Sequence, residues 1–174
     1  MKILGIDPGY AIIGFGLVES NRGEHRLLQY GTITTPPDLP FPQRLQMIYE
    51  DMVNLLEAFA PEVMAIEELF FGHNVTTGIG VSHGRGVLLL AAAQKQIPIF
   101  EYTPMQIKQA ITGNGGAKKP EMQQMVKLLM RMEEIPRPDD AADAIACAIT
   151  WLIGFMMRKC NAARRGKDIR KEKT

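Results

Sequence analysis

The sequence predicts one α/β domain built on a five-stranded mixed sheet, on three observations. Three short apolar runs follow one another at the start with only turns between them. After Pro36-Pro37, stretches with helical spacing alternate with further short apolar runs. The chain's 174 residues, 46% hydrophobic and 22% charged, suffice to bury one core but not to build two nucleotide-clasping lobes.

Lys2 to Ile6 is nearly all apolar and runs into Asp7-Pro8-Gly9, a strand meeting a turn. Ile12 to Val18, softened by Gly14 and Gly16, reads as the second strand. The polar Ser20-Asn21-Arg22-Gly23 turn leads to a third over Arg26 to Thr34, completing an antiparallel meander. Arg44, Leu45, Ile48, Met52, Leu55, Leu56 and Phe59 carry the 3.6-residue period of a helix that Pro61 punctuates. Val63-Met64-Ala65-Ile66 is a continuous apolar run, as expected of a strand covered on both faces. A long helix from about Val75 to Gln96, with Asn74 at its N-cap, leads to a strand over Ile97 to Glu101. Helices over Thr103 to Ile111 and Pro120 to Met132 flank a Gly113-Asn114-Gly115-Gly116 loop, and a last helix spans Asp139 to Met157. The order β-β-β-α-β-α-β-α-α-α places β-α units after the meander, and no repeat or linker interrupts it before Arg158.

Charge and cysteine usage narrow the class. Net charge is +1, so no overall field points to a polyanion or a membrane, and no apolar run reaches the ~20 residues of a membrane span. The first residues reach Asp7 without a long apolar core, so a secretory leader is not expected. Cys147 and Cys160 read as free thiols of a reducing compartment, and a cytoplasmic location is expected. The balance is uneven along the chain: residues 158–174 hold eight Lys/Arg against Asp168 and Glu172. That basic segment is expected to be a disordered tail beyond a 1–157 domain. It acts either as a solubilising tail or as a phosphate-binding arm.

Four acids stand where chemistry is plausible. Asp7 and Glu67 end two apolar strands, and ligands in α/β sheets collect beyond such ends. Asp140 and Asp143 lie three apart at the start of the last helix, on one face, among Ala141, Ala142, Ala144 and Ala146. Each has a structural reading too: turn capping for Asp7, solvation beside Glu68 for Glu67, and N-terminal helix acids for Asp139 and Asp140. As a set with no Lys or Arg among them, they would repel one another and raise each other's pKa values. A divalent cation removes that conflict. Oxygen ligands without His or Cys at ligand spacing favour Mg²⁺ or Mn²⁺. Two such ions ~3.5–4 Å apart activate a water and stabilise the leaving oxygen of a phosphodiester.

Ile3-Leu4-Gly5-Ile6-Asp7-Pro8-Gly9, Ala65-Ile66-Glu67 followed by Phe70, Gly84-Arg85-Gly86 and Asp140-Ala141-Ala142-Asp143-Ala144 occur in that order. With their spacing they resemble the RuvC family, bacterial Holliday-junction resolvases of the RNase H-like (retroviral integrase) superfamily, over about residues 1 to 155. The resemblance implies an RNase H-like fold with helices on both faces of the sheet. It implies that Asp7, Glu67, Asp140 and Asp143 form the catalytic metal site, holding two Mg²⁺ with Mn²⁺ as a substitute. Lys108 and Lys119 are implied to contact DNA near the scissile phosphate, with Lys118 the rival of Lys119. Phe70, or Phe71 beside it, is implied to stack on a base. Arg85 is carried as a further DNA contact, because Gly84 and Gly86 suit the close approach of nucleic acid or a partner helix; tight packing on the chain's own sheet is the alternative.

His73 is a candidate loop contact and His83 a structural residue. The family works as a homodimer on four-way junction DNA, beside a branch-migration motor of the RuvA and RuvB type, and leaves 5′-phosphate ends. Two rivals remain from the sequence: an ATP-binding phosphotransferase of the actin-like group, because Gly5-Ile6-Asp7 and Gly9 also resemble its phosphate loop, and a catalytically silent junction-binding relative.

Overall fold

Strands β1 (Lys2–Asp7), β2 (Ile12–Asn21) and β3 (Glu24–Thr34) form the meander. The β2–β3 turn closes on Arg22 and Gly23, both at positive φ (49° and 94°), the backbone of a two-residue hairpin turn whose twist matches the strands. The two strands are longer than the apolar runs suggested, because hairpin pairing extends outward to Asn21 and Glu24. The computed structural model of the chain describes the backbone of residues 1–69 and 75–171, and the side chains of 1–69 and 78–162.

Helix α1 (Phe41–Phe59) crosses back to β4 (Val63–Glu67); α2 (Val75–Gln94) leads to β5 (Ile99–Tyr102). Then come α3 (Pro104–Thr112), α4 (Lys119–Leu129) and α5 (Asp139–Lys171). The sheet order is β3-β2-β1-β4-β5, with β4 parallel to both β1 and β5. Five strands, an antiparallel meander and β-α units are thus as the sequence predicts.

Strand alternation divides the core. Leu4, Ile6, Met64 and Ile66 point to one face and pack with Ile48 and Met52 of α1 and Leu88 of α2. Ile3, Val63 and Ala65 point to the other and pack with Ile107 of α3, Val126 of α4 and Ile145 of α5. Helices therefore cover both faces.

What seats α5 so close is missing side chains. A Cβ on Gly5 would lie 1.9 Å from the Ala144 carbonyl oxygen, and one on Gly14 1.9 Å from that of Asp140. On Gly16 it would meet Ile145. Ala141, Ala144 and Ala148 complete the contact from the helix side, all fully buried. Backbone rests on backbone.

One expected boundary moves, at the end of the last helix. The last helix is longer than expected: α5 continues through Met157 to Lys171. Alanine, arginine and lysine past that point are strong helix formers that propagate an established helix. An 18-residue window inside Asp139–Ala162, with a mean hydropathy of 1.5, has the length and composition of a membrane span. Its apolar face is instead spent on the sheet, where Ile145, Ile149, Trp151 and Leu152 are buried.

Turns at the ends of elements are fixed by specific bonds. Thr103 caps α3: its hydroxyl accepts from Gln106 N–H while the Gln106 side chain accepts from Thr103 N–H, a reciprocal capping box. Arg44 of α1, buried, holds the turn after Asp7. Its Nε donates to Thr35 Oγ1 at 2.9 Å, and its guanidinium lies 4.5 Å over the Tyr10 ring. Thr35 Oγ1 in turn donates to the Tyr10 carbonyl at 2.6 Å.

Gly5→Ala is expected to cost ~1–3 kcal/mol by overpacking, since the obstacle is main chain that no rotamer change can clear. Urea denaturation measures it, and an unchanged midpoint would show that α5 does not rest on β1.

Candidate active site

Asp7 and Glu67 occupy equivalent places on adjacent parallel strands. Ile6 pairs with Ile66, so the next residue on each strand is an acid. Both acids alternate in phase with Gly5 and Ala65, which puts them on the α5 face. Gly14 pairs with Asp7 across β1–β2 and carries the Asp140 main chain directly above it. One helical turn on, Asp143 follows. Three elements therefore bring Asp7, Glu67, Asp140 and Asp143 to one mouth at the carboxyl end of β1 and β4.

Their mutual repulsion is visible in their proton affinities. Asp7 is pushed up to about 8, first by burial and then by the charges of Asp143, Glu67 and Asp140. Glu67 is pushed up to about 7 by burial and by Asp143. Asp143 is raised as well, chiefly by burial, with Lys119 opposing. Among the described residues, no three acids already converge as a finished cation cage. Like charges hold unscreened carboxylates apart.

The expectation that no cation stands among the acids is corrected. Lys119 Nζ lies 3.2 Å from Asp143 Oδ2 and 3.3 Å from Asp139 Oδ2. Lys119 begins α4, which packs beside α5, and residues remote in sequence give no hint of such a pairing. Lys108 of α3 stands near enough to Glu67 to lower its proton affinity. A cleft of about 280 Å³ lies between Glu67 and Asp143 on one side and Lys108 and Lys119 on the other, with Ile107 and Met122 in its wall. Lys118 is exposed and does not line it.

Acidic oxygens with nearby ammonium groups have the chemistry to hold hard cations and an anionic group side by side. The donor set fits a divalent ion: oxygen ligands only, strained by their own charge.

Asp139 is exposed, bound by Lys119 and by Gln123 Nε2 at 2.9 Å, and its carboxyl is held below the usual range by those partners, Lys119 foremost. Arg85 of α2 is largely buried. Its Nε donates to the Glu67 carbonyl at 3.2 Å and its Nη2 binds Glu101 of β5. Gly84 approaches not a partner but the chain's own turn: a Cβ there would lie 2.3 Å from the Gly9 carbonyl oxygen. Gly86 faces open space. His83, exposed, sets Nδ1 2.7 Å from the Ile79 carbonyl and meets Phe41 edge-on, in keeping with a structural role. Phe70, Phe71, His73 and Asn74 lie outside the described residues.

Sequence reading gave Cys147 no place near the acids. It is fully buried one turn beyond Asp143, and burial, then the charges of Glu67, Asp7 and Asp143, push its thiol well above the ordinary value. Its i, i+4 spacing from Asp143 was the available signal.

The family profile described as Crossover junction endodeoxyribonuclease RuvC matches residues 3–151. This chain belongs to the RuvC family. The RuvC of Brevibacillus brevis is 54% identical over 150 residues, covering 86% of this chain and 90% of that one. The RuvC of Thermotoga petrophila is 51% identical over 158 residues, covering 91% and 94%. The Thermus thermophilus RuvC structure superposes with a TM-score of 0.82 at 36% identity, covering 90% of this chain and 96% of that one. A structure of T. thermophilus RuvC in complex with Holliday junction substrate gives 0.82 at 34% identity over the same shares. The yeast mitochondrial Holliday junction resolvase Ydc2 shares the fold, with a TM-score of 0.64 at 16% identity over 87% of this chain and 78% of that one. The architecture is the RNase H-like one of these resolvases.

The raised acids set a pH dependence. Asp7 and Glu67 hold protons in the folded chain up to about 8 and 7, whereas unfolded they lose them near 3.8 and 4.5. The folded state thus binds more protons over that window, and stability without metal falls as pH rises from about 4 to about 8. Thermal melts in EDTA should show this decline and Mg²⁺ should reverse it at pH 8, since ligation requires deprotonated carboxylates. Asp7→Asn should stabilise the metal-free chain at pH 8 by ~1–2 kcal/mol. A melting temperature that climbs with pH in EDTA would contradict this arrangement.

Proposed function

We propose that this chain is a structure-selective endodeoxyribonuclease that resolves four-way DNA junctions by paired nicks, in recombination and repair. The observation that carries the reading is that β1, β4 and α5 bring Asp7, Glu67, Asp140 and Asp143 near enough for their charges to raise the proton affinity of Asp7, in a chain of the RuvC family. Asp7, Glu67, Asp140 and Asp143 would hold two Mg²⁺, with Mn²⁺ as a substitute. When bound, these ions supply positive charge at the scissile phosphate, which activates a water and steadies the departing 3′ oxygen, leaving a 5′-phosphate.

The chain's own groups do the rest. The backbone contact of α5 with Gly5 and Gly14 fixes the spacing between the strand acids and the helix acids. Lys108 and Lys119, lining the same cleft, bind the phosphate on either side of the cut. Lys119 is held beside Asp143 in the free chain, and a cation on that carboxylate would free its ammonium for DNA. Phe70 stacks on a base at the junction centre.

A homodimer gives one site for each of two strands. Ile79, Gly86 and Leu90 share one exposed side of α2, with Ile79 and Leu90 each 53% exposed, which supports this helix as the contact with a second copy. A motor of the RuvA and RuvB type, in the cytoplasm, delivers the junction.

Incubation of the protein with a synthetic mobile four-way junction and Mg²⁺ tests this reading, with each strand's breaks mapped. Symmetric nicks near the crossover with 5′-phosphate ends are expected, and Asp7→Asn should bind the junction without nicking it. Lys119→Ala should lose more activity than Lys118→Ala. Binding without cleavage by the unaltered chain would leave a silent junction-binding protein instead.

A further inference from the structure

We propose that Arg85 is a positioning residue for Glu67: it clamps the end of β4 through the main chain, from the face of the sheet opposite the acids, and does not touch DNA. The inference rests on the four-carboxylate site proposed above.

Sheet alternation makes the case. Glu67 points to the α5 face, in phase with Ala65. Ile66 points the other way, to the face covered by α1 and α2. Glu101 pairs with Ile66 across β4–β5 and so shares that second face. Arg85 reaches the sheet from α2, where it meets Glu101 and the Glu67 carbonyl. Its side chain is only 15% exposed. It therefore stands behind the site, and the only part of Glu67 it touches is the peptide group.

That peptide is a sensitive place. The ladder between β4 and β5 ends there, with Glu68 N–H donating to the Tyr102 carbonyl at 2.8 Å as the last bond. The carbonyl of that same peptide points away from β5, to the side where the ladder with β1 ends at Ile6–Ile66 and Pro8 has no N–H to offer, so its own end of the peptide lacks a ladder donor. Arg85 supplies the missing donor. Nε and Nη2 lie on one edge of a planar guanidinium, so the bond to Glu67 and the bond to Glu101 fix each other's direction. Glu101 neutralises the cation, which would otherwise be buried unpaired, and ties the clamp to β5. Groups that orient a ligand in this way typically change metal affinity 10–100-fold when removed.

Mn²⁺ binding to the free full-length protein, followed by calorimetry, reads the effect without turnover. Junction affinity in EDTA, measured across a salt series, reads any DNA contact. Arg85→Gln should weaken Mn²⁺ binding ~10–100-fold while junction affinity and its salt slope stay unchanged. Arg85→Lys should not restore Mn²⁺ binding, because a point charge cannot make both bonds. Glu101→Gln, which removes the charge but keeps an acceptor at a half-exposed position, should weaken Mn²⁺ binding in the same direction, which keeps the test open if Arg85→Gln fails to fold.

Unchanged Mn²⁺ affinity in Glu101→Gln and in either Arg85 variant would overturn the proposal. So would a loss of junction affinity in Arg85→Gln with the salt slope reduced by ~1, which would make Arg85 a phosphate contact. Mn²⁺ binding by the unaltered chain that is indifferent to Asp7→Asn would instead remove the carboxylate site itself, and the clamp with it.

Discussion

Everything at the active mouth depends on a strip of sheet without side chains beneath α5. Gly5, Gly14 and Gly16 let the helix main chain settle onto the main chain of β1 and β2. Glycine costs a strand packing and entropy, and here it stands where that cost is offset by proximity. Any larger residue would lift α5, and with it Asp140 and Asp143, away from Asp7 and Glu67. The same contact buries Ala141, Ala144 and Ala148 completely, so the seating is apolar and rigid while the acids at its edge stay within reach of solvent and ligand.

From that seating follows a site under electrostatic tension. Burial and like charge both favour protons on Asp7 and Glu67. The fold nevertheless holds them there, because strand alternation leaves no other direction for their side chains. Lys119 relieves part of the tension by pairing with Asp143 and Asp139. Under the proposed function the same ammonium would meet phosphate, joining the charge state of the site to the presence of DNA.

Much of this was legible in the sequence, for identifiable reasons. The five strands show as short apolar runs, and Asp7 and Glu67 show as acids ending two of them. Asp140 and Asp143 declare themselves by a three-residue spacing among alanines. Contacts made between elements were not legible. Lys119 pairs with acids twenty and more residues away, and Glu101 meets Arg85 only because α2 lies across β5. The glycines of α2 suggested a partner's approach, yet Gly84 is filled by the chain's own Gly9 turn, a long-range contact that spacing cannot reveal. Helix α5 runs past its expected end because composition read as a charged tail is also composition that extends a helix.

The most direct test is a crystal of the protein soaked in Mn²⁺, with anomalous scattering locating the metal. The account predicts density ringed by the carboxylates of Asp7, Glu67, Asp140 and Asp143, with the Lys119 ammonium displaced from Asp143. Manganese bound elsewhere, or absent from that mouth while Lys119 keeps its place, would contradict it.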